Sequence, residues 1–212
     1  RAHHAHQGTT VYLLFYEAST RTRFSFAHAA SDVGMSIVST ENAREFSSAV
    51  KGENLADTIR VCCEYNPRVI VLRHPEPFSA DLAVRVVEQY GYEVKVINAG
   101  DGANEHPTQA LTDLYTIWKE IGRLDNLHVV IGGDLLYGRT ARSLIFELAL
   151  CKDIHLTLVS PATHRIADVV RSFLVEQRIA FEEAPILLRG VLQSADVIYW
   201  TRPQLERESE PQ

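Results

Sequence analysis

Apolar positions along the chain follow two alternating rhythms. Short runs rich in β-branched and aromatic residues at 11–16, 36–39, 69–72, 94–97, 128–131, 154–159, 179–182 and 197–200 predict eight strands. Between them apolar residues recur three or four positions apart, as in Leu55/Ile59/Cys62, Leu82/Val86/Tyr90, Leu111/Leu114/Trp118 and Leu144/Ile145/Leu148, which is the spacing of one helix face. Gly34, Gly91 and Gly122 stand just past three of the predicted helices, where a left-handed C-cap is expected. Strand–helix alternation of this kind predicts an α/β fold with parallel sheets covered by helices. The helix expected at 107–121 is followed by the turn-like stretch 122–126, a plausible hinge. The expectation is therefore two domains, each with a mostly parallel sheet: 1–121, including the linking helix, and 122–212. The longest stretch without periodicity is 39–51, polar and long enough to suggest a functional loop.

Composition narrows the functional classes. The 212 residues carry 21 Lys+Arg against 27 Asp+Glu, a formal charge of −6, so wrapping nucleic acid is a poor fit. The longest unbroken apolar run, 11–16, falls far short of the ~18 residues that span a bilayer. Arg1-Ala2-His3-His4 shows no apolar signal-peptide core. Cys62, Cys63 and Cys151 are odd in number and lack CxxC spacing, which argues against both a disulfide framework and a zinc site. These features predict a cytoplasmic, soluble protein with no metal or other cofactor and no nucleic-acid or membrane partner. A chain that starts on Arg1 rather than Met and ends in the polar stretch 206–212 is expected to be a piece of something longer.

In open α/β sheets ligands bind beyond the carboxyl ends of the strands, so the residues after each strand are the most informative. Ser19-Thr20-Arg21-Thr22-Arg23 follows the first strand, Arg73-His74-Pro75 the third, and the stretch 100–109, with His106 and Gln109, the fourth. Residues 133–140, with Arg139 and Thr140, follow the fifth strand, and Thr201-Arg202-Pro203-Gln204 the eighth. Arginine at four of these five places, in an acidic chain, points to a small anionic ligand. Residues 19–23 also open a helix whose buried face is expected to be Phe24, Ala27 and Ala30. Its free N–H groups, hydroxyls and guanidinium groups suit a phosphate. They suit an ordinary capped helix with solvated arginines equally well. The GxxxxGK[ST] pattern is missing, so this is not a P-loop. His106 sits just ahead of a helix that begins at Pro107, where a neutral imidazole is favoured and can donate to a polarised carbonyl. The Gly-rich stretch 131–138 lacks the GxGxxG order, which argues against a nicotinamide site.

The motifs then become recognisable. Residues 15–26, Phe-Tyr-Glu-Ala-Ser-Thr-Arg-Thr-Arg-Phe-Ser-Phe, resemble the carbamoyl-phosphate signature of the aspartate/ornithine carbamoyltransferase superfamily. Lys51-Gly52-Glu53 and the stretches 100–109, 133–140 and 202–207 are similar to its aspartate carbamoyltransferase branch. The resemblance runs from about residue 11 to 207. It implies that Ser19, Thr20, Arg21 and Thr22 grip the phosphate and that Arg73 reaches phosphate and carbonyl oxygen. It implies that His106 and Thr22 hydrogen-bond the carbonyl oxygen, that Gln109 faces the carbamoyl amide, and that Arg139, Arg202 and Gln204 hold the aspartate carboxylates. Ser47 and Lys51 would enter the site of a neighbouring subunit in a homotrimer with shared active sites, Lys51 with a share in catalysis and in aspartate binding. Regulatory chains or other pyrimidine-pathway enzymes are conceivable partners. Pro203 replaces the aliphatic residue usual in the family. The family's first helix would precede Arg1, and a His-Pro-Leu-Pro loop and a terminal helix would follow Gln212.

The implied reaction is attack of the L-aspartate amine on carbamoyl phosphate, giving N-carbamoyl-L-aspartate and phosphate. Two alternatives stand beside it. An ornithine carbamoyltransferase shares the phosphate motif, but Arg139 and Arg202 would repel the extra amine of its substrate. A non-catalytic assembly subunit of the same fold would be expected to have lost at least one of the motifs.

Overall fold

A computed structural model describes residues 6–40, 43 and 52–202. Its Cα positions divide the chain into two compact units, one ending at Asn104 and one starting at Glu105. The first contains β1 (Thr10–Phe15), α1 (Thr20–Asp32), β2 (Ser36–Thr40), α2 (Leu55–Glu64), β3 (Val69–His74), α3 (Ser79–Gln89) and β4 (Lys95–Asp101). Its strands lie in the order β2-β1-β3-β4, every neighbouring pair parallel. A strand turned every second residue to opposite faces must be apolar on both when helices cover both. Accordingly Val11, Leu13 and Phe15 of β1 pack with Val71 and Ala30 on one side. Leu14 and Tyr16 pack with Ile70, Leu72, Ile59 and Val86 on the other.

One detail of α1 departs from expectation. Phe24 is 58% exposed, with the Arg23 guanidinium carbon 5.4 Å from its ring centroid. The packed face is Phe26, Ala27 and Ala30. At roughly 100° per residue Phe24 points some 110° away from the centre of that face, although its spacing to Ala27 also looks helical.

The second unit contains α4 (Pro107–Ile121), β5 (Leu127–Gly132), α5 (Arg139–Leu148), β6 (Ile154–Val159), a short 3-10 turn (Ala162–His164), α6 (Asp168–Glu176), β7 (Ala180–Ala184), α7 (Arg189–Ser194) and β8 (Val197–Trp200). The sheet order is β7-β6-β5-β8, again all parallel. Leu127, Val129 and Ile131 face a core built from Ile117 of α4, Leu144, Ile145 and Leu148 of α5, and Val170 and Leu174 of α6. The division between units thus falls ahead of α4, at 104/105, and not at the turn after it. The reason is the apolar side of α4: Leu114, Ile117 and Ile121 pack into the second core.

Each sheet reverses direction once. From β1 the chain adds β2 on one side and then β3 on the other; from β5 it adds β6 on one side and finally β8 on the other. Such switch points leave a crevice at the carboxyl ends of the two diverging strands, where α/β proteins bind ligands.

Candidate functional site

At the first switch point stand the ends of β1 and β3. The chain leaves β1 and enters α1 through Ser19, an N-cap with extended backbone (φ −160°, ψ 93°) whose side chain makes no capping bond. The first N–H groups of α1 are without intrahelical acceptors, as at every helix start, and carry the positive end of its dipole. Thr20 and Arg21 are exposed; Ser19, Thr22 and Arg23 are half-buried. Arg73 lies in register with Phe15, and its carbonyl accepts the Tyr16 N–H at 2.8 Å. The residue is 8% exposed; Nη1 donates to the Ala99 carbonyl at 3.1 Å and Nη2 to Glu17 Oε1 at 3.2 Å. The fold therefore brings Ser19, Thr20, Arg21 and Thr22 to the same strand ends as Arg73. Next to Arg73, the His74 ring nitrogen Nδ1 accepts the Glu76 N–H at 3.1 Å and lies 2.8 Å from the Ser79 hydroxyl. Gly102, at φ +53°, allows the loop after β4 to pass so close to this segment that a Cβ there would sit 2.5 Å from the Pro75 carbonyl oxygen.

At the second switch point stand the ends of β5 and β8. Arg139 opens α5 and is 4% exposed. Arg202, two residues past β8, is exposed. The two loops are stitched together by backbone. Thr201 N donates to the Gly132 carbonyl at 2.8 Å, and the Thr201 hydroxyl lies 3.2 and 3.1 Å from the carbonyls of Gly132 and Asp134. Asp134 Oδ1 accepts the Tyr137 N–H at 3.0 Å, closing the turn that delivers Arg139. Gly133, at φ +105°, is required by closeness as well as conformation: a Cβ there would be 2.1 Å from the Thr201 carbonyl oxygen.

His106 and Gln109 belong to the start of α4. His106 is its N-cap, 6% exposed, with Pro107 as the first helical residue. Its backbone N–H donates to Ser143 Oγ at 2.9 Å, and its Nδ1 lies 3.4 Å from the Thr108 hydroxyl. Gln109 donates from Nε2 to Asp113 Oδ1 at 3.0 Å, one turn further along. The Tyr199 hydroxyl of β8 faces both Asp113 and Thr140. Burial pushes the Asp113 carboxyl above its usual range, against the lowering effect of Gln109 and Tyr199. The Tyr199 phenol is pushed up to about 12, chiefly by burial. Burial also lowers Arg142, one turn into α5, partly offset by Glu105. Asp113 Oδ2 is buried outside ordinary hydrogen-bond geometry, with the Tyr199 hydroxyl facing the carboxyl.

Residue-by-residue reasoning gives no role to Glu17, Asp113, Tyr199 or Thr201. Glu17 alone left a signal, as an acid inside an otherwise cationic and hydroxyl-rich stretch. Ser47, Lys51, Pro203 and Gln204 lie outside the described residues. Among the described residues no cluster of three or more His, Cys, Asp or Glu side chains could hold a metal ion, and no helix is long and apolar enough to cross a membrane.

Two parallel sheets, each with basic and hydroxyl side chains at its switch point, define an α/β protein. Residues 1–119 match the family model of the aspartate/ornithine carbamoyltransferase carbamoyl-P binding domain, and the chain belongs to that family. The chloroplastic aspartate carbamoyltransferase of Arabidopsis thaliana is 47% identical over 204 residues, 96% of this chain and 50% of that protein. The catalytic subunit of Methanocaldococcus jannaschii aspartate transcarbamoylase superposes with a TM-score of 0.82 at 42% identity, over 100% of this chain and 66% of that one. Aspartate transcarbamoylase from Trypanosoma cruzi, solved with carbamoyl phosphate and aspartate, gives a TM-score of 0.84 at 37% identity, over 95% of this chain and 62% of that one. The chain spans about half the length of the curated plant relatives it matches.

The expectation of a cytoplasmic protein is overturned by the same relatives. Those from Arabidopsis, pea and rice, 45–47% identical, are chloroplastic. An organelle address resides in a leader segment rather than in the charge or composition of a folded domain, so the composition argument could not reach it.

Proposed function

We propose that the protein to which this chain belongs transfers the carbamoyl group of carbamoyl phosphate to the amine of L-aspartate. The observation that carries the reading is the assignment of one anion set to each switch point. Ser19, Thr20, Arg21, Thr22 and Arg73 stand at the first, as a phosphate requires; Arg139 and Arg202 stand at the second, as a dicarboxylate requires. The Trypanosoma cruzi relative supports the pairing of substrates, since it was solved with both.

In this reading the aspartate amine adds to the carbonyl carbon to form the nitrogen–carbon bond. The tetrahedral intermediate then collapses by breaking the carbon–oxygen bond to phosphate, which leaves with the proton that the amine gives up. Holding two anions in reacting geometry is worth up to ~7–11 kcal/mol. Thr22, Arg73 and His106 donate to the oxyanion of the tetrahedral intermediate, where one donor is typically worth ~10²–10³ in rate. Gln109 accepts from the carbamoyl NH2. Gln204 joins Arg139 and Arg202 on the aspartate carboxylates. The product, N-carbamoyl-L-aspartate, places the protein in pyrimidine biosynthesis.

The test is phosphate release by the full-length protein with aspartate or ornithine as acceptor. Aspartate-dependent release is expected; release with ornithine, or with neither, overturns the reading. We infer further that the protein works as a homotrimer in which Ser47 and Lys51 complete a neighbour's site. Full-length Lys51→Ala and His106→Ala, each inactive alone, should regain about a quarter of their sites when mixed under conditions of subunit exchange, since random cyclic assembly pairs an intact His106 with an intact Lys51 at that frequency. No recovery in samples that demonstrably exchange would put Lys51 in its own subunit's site.

A further inference from the structure

We propose that Asp113 is a positioning residue that makes the site select a carbamoyl nitrogen, by fixing the Gln109 amide with its NH2 turned inward and its oxygen presented to the substrate. The inference rests on the carbamoyl-transfer reading above.

A glutamine amide has a donor end and an acceptor end of nearly equal size, and nothing in its own shape decides which one meets a ligand. Asp113 decides it. A carboxylate only accepts, so the 3.0 Å contact to Gln109 is made by Nε2, and Oε1 is left as the outward group. The amine of carbamoyl phosphate is a donor and needs an acceptor. A rotated Gln109 would set NH2 against NH2 and lose that selection.

Two further observations separate this role from that of an ordinary glutamine–aspartate pair four residues apart on a helix, which also stabilises helices. First, Asp113 is not a solvated surface carboxylate. It is half-buried, its Oδ2 is buried outside ordinary hydrogen-bond geometry, and the donor set against the carboxyl from β8 is the Tyr199 hydroxyl. Helix stability alone would be served better by a solvated carboxylate, and incompletely satisfied buried groups concentrate at functional sites. Second, the Tyr199 hydroxyl faces the same carboxyl and also Thr140, the neighbour of Arg139. The group that orients Gln109 is therefore in contact with β8, the strand that ends beside Arg202, and through Tyr199 with the first turn of α5. A donor-reading residue and two acceptor-substrate residues share one brace.

The experiment compares carbamoyl phosphate with acetyl phosphate, in which a methyl group replaces the amine. In the full-length protein, with aspartate saturating, KM for carbamoyl phosphate and the competitive inhibition constant of acetyl phosphate are measured for wild type, Asp113→Ala and Asp113→Asn, with thermal midpoints recorded alongside. Asp113→Ala should raise KM for carbamoyl phosphate about tenfold, the usual worth of one hydrogen bond, and leave the acetyl phosphate constant within about twofold. Asp113→Asn keeps a side-chain oxygen for the Gln109 N–H and should stay close to wild type for both. Parallel weakening of both ligands by Asp113→Ala, or unchanged preference between them, overturns the role. A wild-type protein that turns over but shows no preference for carbamoyl over acetyl phosphate removes the role of Gln109 as well. A wild-type protein without aspartate-dependent turnover removes the reading beneath both.

Discussion

The two switch points hold their cations by different means. At the first, the residues proposed to face the phosphate hang on a helix start. Ser19 caps α1 without a side-chain bond, Arg21 is exposed, and only Arg73 is buried and fixed, by Glu17 and the Ala99 carbonyl. At the second, Arg139 is buried and its loop is clamped to the end of β8 through Thr201, Gly132, Gly133 and Asp134. The proposed ligands would explain the contrast. A phosphate dianion offers several equivalent oxygens, so a helix dipole, hydroxyls and a mobile guanidinium capture it in many geometries. Telling aspartate from other amino acids requires cations at a set separation, because specificity is a difference between close alternatives. The open end gains affinity from charge, and the clamped end gains selectivity from rigid backbone.

The largest effect should come from the clamp. Gly133→Ala puts a side chain at φ +105° and drives its Cβ to 2.1 Å from the Thr201 carbonyl oxygen. Backbone strain of ~1–3 kcal/mol and the forced parting of two strand ends together predict a loss of about 3–5 kcal/mol. Thr20→Ala, on the exposed start of α1, should stay within ~0.5 kcal/mol. Urea midpoints of the full-length variants check both. A Gly133→Ala protein as stable as wild type would mean that the clamp is pliable and the contrast is wrong.

A second comparison lies within the open end itself. Arg21→Ala should weaken carbamoyl phosphate binding about 10- to 100-fold, the worth of a charge-assisted hydrogen bond of ~1.5–3 kcal/mol, with no change in stability. Arg73→Ala should cost binding and stability together, because it removes the ion pair to Glu17, whose side chain is 33% exposed, and the bond to the Ala99 carbonyl. Partial solvent access limits the stability cost to about 1–2 kcal/mol. Calorimetric titration and thermal melts separate the two. Equal stability losses in both variants would show that Arg21 is held as firmly as Arg73.

Much of this arrangement was legible in the residues, for a physical reason. All eight strands and the bounds of α4 follow from local periodicity, and the cations at strand ends follow from where α/β sheets bind ligands. What escaped depends on partners distant in sequence. Arg73 and Glu17 are 56 positions apart, Thr201 and Asp134 are 67 apart, and Tyr199 meets Asp113 only once β8 has crossed to the far side of β5. Phe24 misled for a related reason: a helical spacing does not say which side of the helix meets a sheet. The unit boundary ahead of α4 was equally hidden, since only the packed core reveals which one Ile117 joins.

The smallest effect is an alkaline one, and it orders the two regions by protonation. Burial pushes the Cys62 thiol, on α2 of the first unit, up to about 11 from 9.0, with Cys63 and Glu53 adding to the shift. Burial pushes the Tyr199 phenol of the second up to about 12 from 10.0. Both groups hold their proton more tightly folded than unfolded, so each contributes stability that is complete below its unfolded value. The thiol contribution is lost as pH rises from about 9 through about 11, and the phenol contribution only from about 10 through about 12. Stability measured by urea midpoint should therefore be flat with respect to these two groups from pH 7 to 9 and then decline, with Cys62 responsible for the first part. Cys62→Ser, whose hydroxyl does not titrate in this range, should reduce the decline that starts near 9, which Cys62 shares with the Cys63 and Cys151 thiols that burial also raises, and leave the later decline in place. Iodoacetamide should find Cys62 slow at pH 8.5, because the thiolate and not the thiol reacts. Rapid alkylation at that pH in the folded protein would mean that the first core is open at α2, and the ordering of the two regions would then be lost.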